Sequence, residues 1–117
     1  MGAERGMERD PNGKNQHEPG AKLDAGKLRA GLVLGGFARA LQEVSRVGTH
    51  GAAKYTDNGW ATVPNGINRY TDAMLRHYMD ECMGEKYDRD LPGLLHAAQV
   101  AWNALARLEL MLREGEK

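Results

Sequence analysis

LLHAAQVAWNALARLELML, residues 94–112, is the stretch whose reading decides the fold. Leu94, Ala98, Ala101, Leu105, Leu108 and Leu112 step by four, three, four, three and four, which is the spacing of a helical packing seam. Leu95 and Trp102 widen the seam, and Ala97, Val100, Ala104 and Met111 cover the adjoining flank. A helix apolar nearly all round must be buried by its own domain or by a second subunit. His96, Gln99, Asn103 and Arg107 form the one narrow polar stripe on it. Buried polar groups are costly unless paired, so four in line predict a polar pocket. A lone His96 would more often be a satisfied core residue, but four polar groups in line favour the pocket. Asp90 as N-cap and Pro92 in the first turn set the expected start, and the helix is expected to reach about Arg113.

Immediately before it, YTDAMLRHYMDECMGEKYDRD (residues 70–90) crowds Asp72, Arg76, His77, Asp80, Glu81, Glu85, Asp88 and Asp90 into one segment. At helical spacing Met74, Leu75, Tyr78, Met79 and Cys82 share a broad apolar face, with Arg76, His77, Asp80 and Glu81 on the other face or its border. Gly84 breaks this helix, and Glu85 and Asp88 follow the break as an E-x-x-D pair. Carboxylates beside a His and an Arg suit a hard cation and a phosphate. The competing reading is a solvated face with intrahelical ion pairs such as Asp72–Arg76.

Working further back, VPNG at Val63–Gly66 is a turn and the central helix is expected from about Ile67. In GTHGAAKYTDNGW (residues 48–60), Gly48 and Gly51 read as helix stops, with a short helical turn over Ala52–Tyr55 and a D-N-G turn at Asp57–Gly59. Lys54, Tyr55, Asn58 and Trp60 therefore fall on a loop, a setting that suits a phosphate and a stacked base; Trp60 reads equally as a lid over the core. A helix is expected from about Leu32 to Val47, striped by Leu34, Phe37, Ala38, Leu41, Val44 and Ser45, with Glu43 opposite the stripe between Arg39 and Arg46. Glu43 is either a surface carboxylate or a metal ligand. KLDAGKLRAG (residues 22–31) gathers Lys22, Asp24, Lys27 and Arg29 around glycines that permit close backbone approach to a ligand, but it is not a P-loop. Residues 1–21, rich in Gly, Pro and charge, are expected to be a mobile tail, and residues 22–117 the domain. No strand alternation persists, so the expected fold is all-α: a small helical bundle.

Sixteen basic and sixteen acidic residues in a 117-residue chain leave no basic excess of the kind a nucleic-acid binder carries. A single cysteine, Cys82, excludes an internal disulfide and a multi-cysteine zinc site. No secretory leader and no spanning apolar run are visible, so a cytoplasmic protein without a membrane partner is expected. H-E-x-x-H, a His-Asp dyad and G-x-S-x-G are all missing. What remains is a carboxylate-rich, oxygen-donor chemistry of the kind that holds Mg2+ or Mn2+.

GAKLDAGKLR, ALQEVSRVGTHGAAKYTDNGW and RYTDAMLRHYMDECMGEKYDRDLPGLLHAAQVAWNAL together resemble the phage-associated dATP/dGTP diphosphohydrolase N-terminal family. That family is grouped with the all-α MazG-like nucleoside triphosphate pyrophosphohydrolases, and the resemblance runs from about Lys22 to Leu110. It implies cleavage of a deoxypurine triphosphate between the α and β phosphates, Mg2+ or Mn2+ as cofactor, and a homo-oligomer (dimer or tetramer), in the host cytoplasm if a phage encodes the chain. Glu85 and Asp88 match the E-x-x-D half of the superfamily metal motif. The E-x-x-E half is not clean, and Glu43 or Glu81 is expected to complete the ligand set. Lys27, Lys54, Tyr55, Asn58, Trp60, Arg76 and Asn103 are the expected substrate contacts. His77 and His96 are the expected catalytic histidines. The rival expectation is a non-catalytic phage interaction or nucleotide-binding regulatory module whose charged cluster is only a solvated face.

Overall fold

Glycine and hydrogen-bonding side chains, more than apolar runs, set where the helices of this chain stop and how they pack. The computed structural model describes residues 7–91 and 93–115, arranged in two compact units, Met1–Gly36 and Phe37–Lys117. Four α-helices, α1 (Ala30–Gly36), α2 (Ala38–Lys54), α3 (Gly66–Cys82) and α4 (His96–Gly115), make the fold all-α. The described residues contain no strand, only an isolated antiparallel bridge between Tyr87 and Leu95. No described helix is long and apolar enough to cross a membrane.

In the first unit, the segment expected as a mobile tail holds a series of hydrogen-bonded turns. The buried Asp10 carboxylate accepts the Asn12 amide at 2.6 Å and the Lys22 amide at 2.7 Å. Those amides, Lys22 first, hold its carboxyl below the usual value. The Ala25 amide donates to the Arg9 carbonyl, and Lys27 pairs with Glu8 at 2.6 Å. The helix expected from about Leu32 does not continue to Val47 as one piece, because α1 ends at Gly36 and α2 starts at Ala38 in the second unit.

In the second unit α2 runs through Gly48 and Gly51, where the sequence predicts stops. The reason is tertiary: a Cβ built on Gly48 would lie 3.2 Å from the Trp102 indole nitrogen, so the missing side chain lets α4 come close. A 3-10 turn at Gly59–Thr62 leads through left-handed Asn65 into α3. Helices α3 and α4 run antiparallel. Gly66 lies against Leu110, Thr71 accepts from Arg107 at 2.8 Å, Tyr70 packs edge-on to Trp102, and His77 meets His96.

The sequence places Leu94 and Leu95 inside the last helix, but α4 begins only at His96. Leu94 and Leu95 instead belong to a narrow loop. Its Leu94 carbonyl accepts the Asp88 amide at 2.8 Å, and the His96 amide donates to the Lys86 carbonyl at 3.0 Å. Gly93, at φ +88°, supplies the left-handed turn this bridge requires. Pro92, expected in the first turn, lies outside the described residues. Asp90 is not a cap in this arrangement; its amide donates to Asp88 Oδ1.

Candidate active site

The site is built by one helix ending and the next helix beginning. At the end of α3 the Gly84 amide donates to the Glu81 carbonyl and the Glu85 amide to the Asp80 carbonyl, both at 3.0 Å. These are the two bonds of a Schellman cap, with Gly84 in the left-handed position at φ +97°. The cap turns the chain back over the last turn of α3 and delivers Glu85 beside Asp80. The Tyr87–Leu95 bridge then returns the chain so that Asp88 and His96 face the same point.

The side chains converge there closely. His96, at 1% exposure, has Nε2 2.8 Å from Glu85 Oε1 and 4.0 Å from Asp80 Oδ2. Its Nδ1 is 2.8 Å from Nδ1 of His77. Arg89 takes the other side of Glu85, with Nε at 3.0 Å and a terminal nitrogen at 2.7 Å from Oε2. Asp88 is buried; its Oδ1 accepts the Asp90 amide and its Oδ2 accepts the Gln99 amide group at 2.9 Å. Asn103, one turn beyond Gln99, donates to the Gln99 carbonyl and so braces that residue. Ligand-capable atoms of Glu85, Asp88 and His96 lie within 4.8 Å of one another, and so do those of His77, Asp80 and His96. His77, Asp80, Glu85 and Asp88 of these groups open on a cleft of about 770 Å³ that Arg76, Arg89 and Asp90 also line.

The electrostatics follow from these contacts. The hydrogen bond from His96, then those from Arg89, pull the Glu85 carboxyl down to about 2. Burial pushes Asp88 upward, but the bonds from Gln99 and the Asp90 amide outweigh it and keep its carboxyl below the usual range. Burial first, and then the charge His96 would carry, lower His77. Glu85 and Asp88 are therefore ionised at neutral pH, next to a His77 that is neutral.

Of the residues singled out from sequence, Glu85, Asp88, His77 and Arg76 line this one cleft, and the buried His96 lies behind them against Glu85 and His77. Asn103 supports it from behind. Glu81 is exposed and outside both converging groups. Glu43 pairs with Arg46 at 3.1 Å on its own helix and likewise belongs to neither group. Lys54 and the exposed Tyr55 sit together at the end of α2, with the ammonium 5.2 Å from the ring centre. Asn58 occupies a left-handed turn. Trp60 packs as a lid, edge-on to Trp102 at 6.0 Å; its carbonyl accepts the Tyr70 hydroxyl at 2.7 Å. Lys27, in the first unit, is engaged by Glu8.

Asp80 and Gln99 stood in the charged cluster and the polar stripe of the sequence without an assigned role, and Arg89 was passed over. Asp80 had a signal, since it stands three residues after His77 and so shares its helix face. Gln99 had the polar stripe of its helix, whereas Arg89 had no such signal, because its partner depends on the loop closing.

The acidic donor set suits a hard divalent cation. Each carboxylate oxygen carries two lone pairs, so Asp88 keeps acceptor capacity beyond the bonds it makes. Glu85 Oε2 is engaged by the Arg89 side chain, which is itself 79% exposed. The model of the family described as dATP/dGTP diphosphohydrolase, N-terminal, matches residues 17–117. No curated protein and no solved structure matches the chain.

Proposed function

We propose, for a chain that belongs to the dATP/dGTP diphosphohydrolase N-terminal family, a divalent-metal-dependent hydrolysis of deoxypurine nucleoside triphosphates to the monophosphate and pyrophosphate. The observation that carries this reading is the convergence of Asp80, Glu85, Asp88 and His77 on one cleft, with the buried His96 behind them. Glu85 and Asp88, with Asp80 in the place expected for Glu43 or Glu81, are the ligands we assign to Mg2+ or Mn2+. The cation supplies the positive charge that admits a polyphosphate to an acidic cleft and offsets charge developing on the leaving oxygen.

The protein's own groups do the rest. Arg76 and a displaced Arg89 offer guanidinium donors to the phosphate chain. His77 lines the cleft and orients a phosphate or the attacking water, whereas His96 is too buried to meet substrate except through Glu85 and His77. Lys54 and Asn58 belong to the same proposal as phosphate contacts. With Trp60 packed on Trp102, Tyr55 is the exposed aromatic of that pair able to stack on a base, a contact worth ~1–3 kcal/mol. The exposed leucines of α4 support a homo-oligomer.

Purified protein incubated with each deoxynucleoside triphosphate and Mg2+ or Mn2+ is expected to release pyrophosphate, fastest with a purine. Release of inorganic phosphate or of intact triphosphate, or no turnover with any of the four, would return the cleft to a binding role.

A further inference from the structure

The carboxylate of Asp88 is held at both oxygens by groups of different origin. Its Oδ1 accepts the Asp90 amide at 2.9 Å, a contact made within the loop itself. Its Oδ2 accepts the side-chain amide of Gln99 at 2.9 Å, a contact made from the start of α4. The loop backbone is pinned separately, since the Asp88 amide donates to the Leu94 carbonyl. With the Asp90 contact alone the carboxylate would still turn about its Cβ–Cγ bond, because such torsions have broad profiles. Gln99 removes that freedom.

The place of Gln99 suits this task. It is 4% exposed, whereas the Arg89 side chain that engages Glu85 is 79% exposed. Its backbone is fixed as well: its amide donates to the Leu95 carbonyl, and its own carbonyl accepts the Asn103 side chain at 2.8 Å. The chemistry of the side chain matters as much as its place. A lysine or arginine here would compete with a cation for Asp88, and a glutamate would set a second negative charge beside it. A glutamine directs the carboxylate and leaves its charge uncancelled. Each Asp88 oxygen keeps a lone pair beyond the bond it accepts, and Asp88 lines the cleft.

We propose that Gln99 is a positioning residue for divalent-cation binding, fixing the rotation of the Asp88 carboxylate so that its free lone pairs are preset for the cleft. The inference rests on the reading above of Asp88 as a cation ligand. Gln99 touches neither cation nor substrate in this arrangement and acts through Asp88 alone. Partners that orient a metal-binding carboxylate in this way typically govern affinity by about 10- to 100-fold. A merely structural Gln99 would alter how firmly α4 holds the loop and leave the cation affinity where it is.

The test is the affinity of the full chain for Mn2+ alone, read from the loss of the free-ion paramagnetic resonance signal with no nucleotide added. Gln99→Met keeps the side-chain length and removes the amide; it is expected to weaken Mn2+ binding by about 10-fold or more. Gln99→Asn, whose amide falls one methylene short, is expected to do the same. Thr71→Val strips the Arg107 contact from the same hairpin and is expected to lower stability with Mn2+ affinity unchanged. Parent affinity in both Gln99 variants, or an equal loss in Thr71→Val, overturns the proposal. Asp88→Asn keeps the two possible failures apart. If it binds as the parent does, or if the parent binds no Mn2+, the cation reading fails and the positioning role with it. If Asp88→Asn loses affinity while the Gln99 variants do not, the positioning role fails alone. Should both Gln99 variants fail to fold, the unmodified 15N-labelled chain decides. The assigned side-chain amide resonances of Gln99 are expected to shift as Mg2+ is added, and unmoved resonances overturn the proposal.

Discussion

Two stripes of the same helix, α4, behave in opposite ways. His96, Gln99, Asn103 and Ala106 step by three, four and three and are buried. Leu105, Leu108 and Leu112 lie on another stripe and are 49%, 51% and 51% exposed. A ranking by hydrophobicity alone would invert this order. The inward stripe is chosen by partners: each of its polar side chains meets a group from α3, from the Glu85–Asp88 loop or from its own helix. The described residues leave no buried side-chain nitrogen or oxygen without a hydrogen bond, so the polar stripe is not bought at the cost of orphaned groups. The same contrast holds on α3, where Tyr70, Thr71 and His77 point inward while Leu75, Tyr78 and Met79 are about half exposed. A bundle that turns chemistry inward and leucine outward has an apolar surface left over, which suits a second copy of the chain.

The strongest way to break the comparison is at Asp88, the buried carboxylate of the inward stripe's partner loop. Asp88→Asn keeps the shape and removes the charge. Under the proposed reaction it is expected to lower kcat by ~100-fold or more, a loss of several kcal/mol of charge stabilisation. Unchanged turnover in a pyrophosphate-release assay would remove Asp88 from the ligand set. Gln99→Leu tests the inward stripe itself, because it leaves Asp88 Oδ2 without its side-chain donor. A drop of ~1–3 kcal/mol in denaturant stability is expected for a buried acceptor so stripped. No change would mean that water replaces the amide freely.

Acid sharpens the contrast further. Glu85 is held at about 2 against an ordinary 4.5, so its bonds contribute stability above 4.5 that is lost as pH falls through about 2. Glu85→Gln is expected to lower the melting temperature at neutral pH and to flatten the acid limb of the stability profile between those values. A mutant limb parallel to the parent's would deny the His96–Glu85–Arg89 linkage. The smallest expected effect on the fold belongs to the outward stripe. Leu108→Lys is expected to leave the chain folded to within ~0.5 kcal/mol, as exposed substitutions usually do. Under the proposed homo-oligomer, light scattering should nevertheless report a fall to the mass of one chain. A folded variant of undiminished mass would move the interface elsewhere.

These stripes also mark the limits of what sequence reveals. The all-α class was readable from helical periodicity, and the break at Gly84 from the glycine itself, because both are local. The E-x-x-D pair at Glu85 and Asp88 was visible for the same reason. Which face of α4 turns inward was not readable: the leucine spacing runs unbroken back through Leu94, and nothing local says that Leu94 and Leu95 bridge to Asp88 and Tyr87 instead. Gly48 looks like a stop until Trp102 is seen against it. Asp80 was indistinguishable from its exposed neighbour Glu81 until the Schellman cap set Glu85 beside it.

The Schellman cap and the bridge that follows it have a kinetic consequence. Every side chain that converges on the cleft, from Arg76 to Gln99, belongs to one helical hairpin, and its most distant pair is separated by 23 residues in the chain. Closing so short a loop costs little entropy, and contacts of low sequence separation form early. The cleft is therefore a local folding product. Its residues converge without any contact from α2, whereas α2, with Gly48 and Gly51 lowering its intrinsic helicity by ~1 kcal/mol each, relies on its packing against Trp102.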